Sequence, residues 1–221
     1  PTRYTLAAAP TASTVAVVAP QTARFSWSAN GNPAGTSYQI SFAQSGFDPS
    51  FVPTTGTVRD FPGLTPNTTY KFQVSAQNTE GIFSAPGALL TLWIPPLAPN
   101  APSAVAAVAF STNSVSWSWT DNADNEDGFR VRRSSDNANL SGDLPVNSTG
   151  FVHAGLGPNA PARVRVEAFN VTAASASAPS ATAYSLAVPP SSLGFLGVFQ
   201  TSAAFAWSAG ANPAGTLFRA E

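Results

Sequence analysis

His153 is the only histidine in the chain, and there is no cysteine. A histidine that acts as a general base needs a nucleophile within hydrogen-bond reach and a carboxylate to orient it. Asp48, Asp60, Glu80 and Glu167 fall on different predicted strands and loops, so no carboxylate pair is implied. A thiolate nucleophile and a cysteine- or histidine-rich zinc site are excluded. The chain is therefore predicted not to be an enzyme and to need no cofactor, with His153 as a structural or solvated side chain.

A short acidic run, Asp121, Asp124, Glu126 and Asp127, is the densest cluster of potential metal ligands. Loops that hold Ca²⁺ place their oxygen ligands at a fixed spacing and close on a bidentate glutamate at the twelfth position. The run has a different spacing, and no such glutamate follows it. It is a weak calcium candidate, and a solvated turn between two strands is the favoured interpretation.

Five arginines of the second half could form a basic stripe, because they fall on two strands expected to be neighbours: Arg130, Arg132, Arg133, Arg163 and Arg165. Guanidinium groups bind carboxylates and phosphates, so such a stripe would suit an anionic glycan or a partner surface. The alternative is a set of ordinary outward strand positions beside acidic residues. The net charge of −1 favours the alternative.

Phe47, Phe51, Phe61 and Phe83 are open to two interpretations. Aromatic faces can stack on sugar rings, so the four could form a binding platform. A sandwich also needs inward aromatic residues from its strands, and a core role is therefore favoured.

The chain carries little charge. Charged residues make up 10% of its 221 residues, against about 25% in typical soluble domains. No long-range field would recruit nucleic acid or anionic lipid, and no apolar run of about 18 residues predicts a membrane-spanning helix. Nucleic-acid binding and membrane insertion are therefore not expected. The composition is typical of exported proteins and packed assemblies.

The sequence repeats internally, which is typical of modular arrays. A shift of 92 residues superposes Trp27 on Trp119 and runs without a gap from Leu64 to Asn78. A shift of 180 residues superposes Trp27 on Trp207, and the run Asn-Pro-Ala-Gly-Thr at 32–36 recurs at 212–216. The third copy matches the first more closely than the second. This difference suggests that two module types alternate in a longer parent.

Each copy is predicted to consist of β-strands. Residues 24–28, 70–76, 115–119 and 163–168 alternate apolar and polar side chains, as half-buried strands do. Clusters of glycine, proline, asparagine and aspartate separate them at turn-like spacing. The predicted fold class is all-β, built from tandem antiparallel β-sandwiches.

These features resemble the fibronectin type III family, and the stretch from Trp119 to Phe129 resembles its bacterial branch. The family pattern has a tryptophan on strand B, an aromatic residue on strand C, and Leu-x-Pro-x-x-x-Tyr leading into strand F. The residues that carry the resemblance, and that it implies are structural, are Trp27, Tyr38, Leu64, Tyr70, Trp119, Phe129, Leu156 and Trp207. The resemblance implies immunoglobulin-like sandwiches of fibronectin type III topology.

The second copy departs from the family pattern at Ala162. In the first copy, Tyr70 at this place would supply a buried ring and a hydroxyl bonded to upstream backbone. Their loss is expected to cost on the order of 2 to 4 kcal/mol. The second copy is predicted to be the less stable one, unless Phe169 or a neighbouring module fills the space.

Four segments follow from the repeats. Residues 1–8 are expected to be the last strand of a preceding module, and residues 9–96 and 97–188 the first and second modules. Residues 189–221 supply only strands A, B and the start of C of a third module. That remnant cannot bury its apolar residues alone. The rest of a longer chain, or a neighbouring chain, is expected to complete it.

The leading functional hypothesis is a non-catalytic structural or adhesive repeat segment of a large extracellular bacterial surface protein or filament. Proline-rich joints would stiffen it, and its partners would be neighbouring modules or copies, with a glycan or cell-surface partner also possible. The alternative is a set of accessory spacer or carbohydrate-binding modules of a secreted polysaccharide-degrading enzyme.

Overall fold

A computed structural model of the chain describes residues 4–46 and 48–219, and these contain strands and no helix. The chain forms two compact units, Pro1–Leu97 and Ala98–Glu221. The all-β prediction is confirmed. No helix of the described residues could span a membrane.

The first unit is a sandwich of two antiparallel sheets. Its strands are β1 (Thr11–Ala19), β2 (Thr22–Ser28), β3 (Ser37–Gln44), β4 (Ser50–Thr54), β5 (Val58–Phe61), β6 (Thr68–Gln77) and β7 (Leu90–Ile94). One sheet has the order β1-β2-β5 and the other β4-β3-β6-β7. Because side chains alternate along each strand, the inward set of β6 forms one buried row, Tyr70, Phe72, Val74 and Ala76.

The second unit repeats this plan with a more broken second sheet. Its strands are β8 (Ser103–Ser111), β9 (Ser114–Thr120), β10 (Gly128–Arg133), β11 (Gly150–His153), β12 (Pro161–Ala162), β13 (Val164–Phe169), β14 (Ala174–Ala176) and β15 (Ala183–Tyr184). The first sheet is β11-β9-β8, and facing it are β10-β13-β14 and the short pair β12-β15. The pairing that β4 makes with β3 in the first unit is reduced here to two bridges, Phe129 to Leu144 and Arg132 to Asn139.

Buried serines explain why the last strand of the second sandwich is broken. The backbone N–H groups of Val166 and Val164 donate to the Oγ atoms of Ser177 and Ser180, at 3.0 and 3.1 Å. Ser84 does the same for Ala76 in the first sandwich, at 3.1 Å. A side-chain hydroxyl thus replaces a ladder bond and keeps the buried N–H satisfied.

The second unit ends with a two-stranded hairpin, β16 (Ser191–Val198) and β17 (Ala203–Ser208). Phe195 pairs with Phe205 in the register in which Val15 pairs with Phe25 in the first unit. No residue of 191–219 is buried, because a hairpin has no second sheet to cover its apolar face. The fold is therefore two sandwiches followed by a two-stranded hairpin.

The segment boundaries derived from the repeats stay predictions. Residues 4–8, the described part of the segment 1–8 that was expected to be the last strand of a preceding module, form no strand.

Candidate functional site

The residue types that bind metal ions are dispersed over the described part of the chain. Residues 4–46 and 48–219 contain no cluster of three or more histidine, aspartate or glutamate side chains able to hold a metal ion. His153 ends β11 with a half-buried ring, and its Nδ1 is buried without a hydrogen-bond partner in this part of the chain. Burial lowers the pKa of His153, and the positive charge of Arg133 lowers it further. The ring is therefore favoured in its neutral form near neutral pH.

The acidic run does not converge on one point. The buried Glu126 accepts a hydrogen bond on Oε1 from the backbone N–H of Asn147 at 3.2 Å, and Asp121 accepts one from Ala123 at 3.0 Å. Asp124 and Asp127 are exposed. The weak calcium candidate thus has no ligand set, because one carboxylate braces a loop, one closes a turn and two face solvent.

The arginines of β10 are paired with acidic residues. Arg130 donates to Asp143 through Nε at 2.5 Å and through Nη2 at 3.1 Å, and its guanidinium lies 3.8 Å from the ring centre of Phe169. Arg132 forms an ion pair with Glu167 on the adjacent strand. These pairs match the alternative of ordinary, charge-balanced strand positions. The Phe169 ring is engaged by Arg130, so it does not fill the space beside Ala162.

The phenylalanines considered as a sugar-binding platform lie in different environments. Phe61 is a core residue stacked on Phe42 at 4.8 Å. Phe51 and Phe83 are exposed, and Phe47 lies outside the described residues. With Phe61 buried, the set does not form one surface.

The residues expected to be structural are placed as follows. Trp27, Tyr38, Leu64 and Tyr70 are buried in the first core, Trp119 and Phe129 are buried in the second, and Leu156 packs against the second core. Trp207 is 45% exposed. It still meets Phe218 edge-on at 6.3 Å, much as Trp27 meets Tyr38 at 5.5 Å.

The corner before strand F is closed differently in the two sandwiches. In the first, the Tyr70 hydroxyl accepts a hydrogen bond from the backbone N–H of Thr65 at 3.0 Å. In the second, the buried Ser185 Oγ donates to the Gly157 carbonyl at 2.6 Å and accepts from the Ala160 N–H at 3.0 Å. Ser185 thus supplies the hydroxyl that Ala162 lacks, but no ring. The sequence does not reveal this role of Ser185, because Ser185 directly follows β15 and is distant in sequence from the corner that it closes.

Asparagine side chains tie the leading linkers to the modules, a role that sequence analysis also missed. Asn32 accepts from the Ala8 N–H and donates to the Ala8 carbonyl, each at 2.8 Å. Asn212 likewise accepts from the Val188 N–H at 2.9 Å and donates to the Val188 carbonyl at 2.8 Å. The recurring Asn-Pro-Ala-Gly-Thr run could have indicated this role, because Asn32 and Asn212 are the first residues of its two copies.

The second sandwich uses a related contact. Asn122 donates to the Ala101 carbonyl at 2.8 Å and to Ser103 Oγ at 3.0 Å, while Asn100 donates to the Asn122 carbonyl at 3.0 Å. We call these three contacts, centred on Asn32, Asn122 and Asn212, the linker clamps. Each one makes the peptide ahead of strand A part of the module that follows it.

Comparison with known proteins gives one family match and several similar solved structures. Residues 8–88, which include β1 to β6 of the first sandwich, match the model of the fibronectin type III domain. No curated protein matches the chain. Among solved structures, the chain is similar to the chicken CNTN1 FN1–FN3 domains, with 18% identity, a TM-score of 0.41, and coverage of 81% of this chain and 67% of that one. It is also similar to a two-domain fibronectin type III segment from chicken tenascin, with 16% identity, a TM-score of 0.44, and coverage of 79% and 97%.

Proposed function

We propose that this chain is a non-catalytic structural or adhesive repeat segment of a large extracellular bacterial surface protein or filament. The observation that carries the proposal is the set of linker clamps. A flexible tether leaves its linkers in solvent, whereas each clamp here hydrogen-bonds the backbone ahead of strand A to the loop between strands B and C.

The clamps support a role as a stiff spacer. A linker that is bonded to a module has fewer free backbone torsions, and the adjoining prolines, Pro95–Pro96 and Pro189–Pro190, restrict the remaining ones. Since the same clamp recurs at Asn32 and Asn212, 180 residues apart, the device is repeated with the module type.

The apolar face of β16 and β17 supports neighbouring modules or copies as the partners. Leu193, Phe195, Leu196, Val198 and Phe205 are all more than half exposed, and a face of that kind marks an interaction surface. In a continuous array the following strands of the same module would cover it. In a filament the cover would come from another copy.

Electron microscopy of the natural protein, with mass spectrometry of the intact polypeptide, tests the proposal. We expect regular fibres or long stalks built from a polypeptide much longer than 221 residues. Short, uniform particles in which the sandwiches adjoin a catalytic domain would overturn it and favour accessory modules of a secreted polysaccharide-degrading enzyme.

A further inference from the structure

The second sandwich contains an open cleft of about 800 Å³ that a role as a spacer does not require. It lies at the end of the sandwich where Ala162 replaces the corner tyrosine. Its lining includes Arg133, Ser134, Asn139, His153, Ala162 and Arg163. A volume of this size is within the range of small-molecule sites.

Strand register shows how the cleft arises. In the first sandwich, Phe42 lies opposite Phe72 and Phe61 lies opposite Ala23. Phe42 stacks on both Phe61 and Tyr70, with ring centres 4.8 and 5.2 Å apart. Three aromatic rings thus close that end of the core.

The equivalent positions in the second sandwich carry no aromatic ring. Arg133 lies opposite Val164, so it takes the position that Phe42 has in the first sandwich. His153 lies opposite Val115, so it takes the position of Phe61. Ala162 stands at the place of Tyr70. Arg133 follows the buried Phe129 and Val131 at every second position of β10, which is the alternation of the inward residues, but its side chain is exposed and is not packed in the core.

The cleft has a positive electrostatic character. Its described lining contains two arginines, one histidine and no carboxylate. Arg133 is tied to Asp136 at 2.9 Å, and the Arg163 Nε donates to the Ser180 carbonyl at 2.7 Å, which holds that guanidinium at the rim. An unbalanced arginine beside a partly enclosed cavity attracts a carboxylate or another organic anion.

Neutral polar groups stand beside these charges. Ser134 Oγ and His153 Nδ1 are both buried and have no hydrogen-bond partner among the described residues. Thr182 and Asn139 add a hydroxyl and an amide, and Leu140 provides an apolar surface. Because those two atoms are buried, the polar side chains that a ligand in the cleft can reach are the exposed Asn139 and Thr182.

We propose that this cleft binds a small organic anion of the size of an acidic monosaccharide, with its carboxylate at Arg163 and its hydroxyls toward Asn139 and Thr182. The site is specific to the second sandwich, since aromatic rings occupy its equivalent in the first. It goes beyond the spacer role and does not depend on it.

Isothermal titration calorimetry of the whole chain with sodium glucuronate tests the proposal, and glucose serves as a probe of similar size without the carboxylate. We expect saturable binding of glucuronate at one site and much weaker binding of glucose. Arg163→Gln is expected to weaken binding about tenfold, the effect of losing one charge-assisted hydrogen bond. Arg165→Gln is the matched control, because it removes the same charge from β13 without touching the cleft lining.

A second variant covers the case in which Arg163→Gln fails to fold. His153→Phe restores the ring found at Phe61 and should abolish binding by filling the cleft. No binding of glucuronate to the native chain, equal binding of glucose, or equal weakening by the two arginine variants would each overturn the proposal.

Discussion

Trp27→Ala is expected to destabilise the first sandwich by about 3–5 kcal/mol, the usual cost of removing a large buried aromatic side chain. Trp27 is 6% exposed and its ring contacts Phe25 at 5.2 Å and Tyr38 at 5.5 Å. Truncation leaves a cavity between the sheets, and the surrounding strands can collapse into it only in part. Urea unfolding followed by circular dichroism measures the change in the free energy of unfolding.

The matched control is Trp207→Ala, which changes the residue at the same place in the third copy. Trp207 is 45% exposed and lies on a hairpin without a second sheet, so its removal should change the unfolding of the two sandwiches by no more than about 0.5 kcal/mol. Comparable losses for the two variants would show that the hairpin packs into a folded core, contrary to the present account.

Tyr70→Ala is expected to cost about 3–5 kcal/mol as well, because it removes a buried ring together with the hydroxyl bonded to the Thr65 N–H. The ring is nearly parallel to that of Phe42 at 5.2 Å, so its loss opens the end of the first core. Urea unfolding of the variant gives the loss of stability, and NMR assigns it to the first sandwich.

Tyr70→Phe separates the two contributions. It keeps the ring and deletes only the hydroxyl, so a loss of about 1–2 kcal/mol is expected. If Tyr70→Phe were as damaging as Tyr70→Ala, the hydroxyl rather than the aromatic stack would hold this end of the sandwich.

The fold class was predictable because strand alternation and the repeat point to the same arrangement. Tyr70, Phe72, Val74 and Ala76 occupy alternate positions, and all four are buried. Side-chain period and strand geometry are local properties, so a single sequence carries them. The relative burial of the two tryptophans of β9 was harder to predict. Both lie on the same apolar face of the strand, and this alternation does not reveal that Trp117, at 1% exposure, is more buried than Trp119.

The cleft could not be predicted in the same way. Arg133 and His153 lie on different sheets, and the equivalence of Arg133 to Phe42 depends on the strand register. The loop between strands B and C is one residue shorter in the second sandwich than in the first. A shift of 92 residues therefore superposes Phe42 on Ser134, whereas the strand register makes Arg133 its equivalent. Ser185 was missed for a related reason, because hydrogen bonds across a sheet leave no local pattern.

We propose that the chain is part of an array in which the first type of module returns after 180 residues. Hydrogen exchange of a chain in which residues 42–97 follow Glu221 tests this proposal, because residues 191–221 match residues 11–41. We predict that the added strands complete the third sandwich, so that the amides of β17 become as protected as those of β2 and Trp207 becomes buried. Amides of β17 that exchange as fast as in the 221-residue chain, with the added residues unfolded, would contradict the proposal.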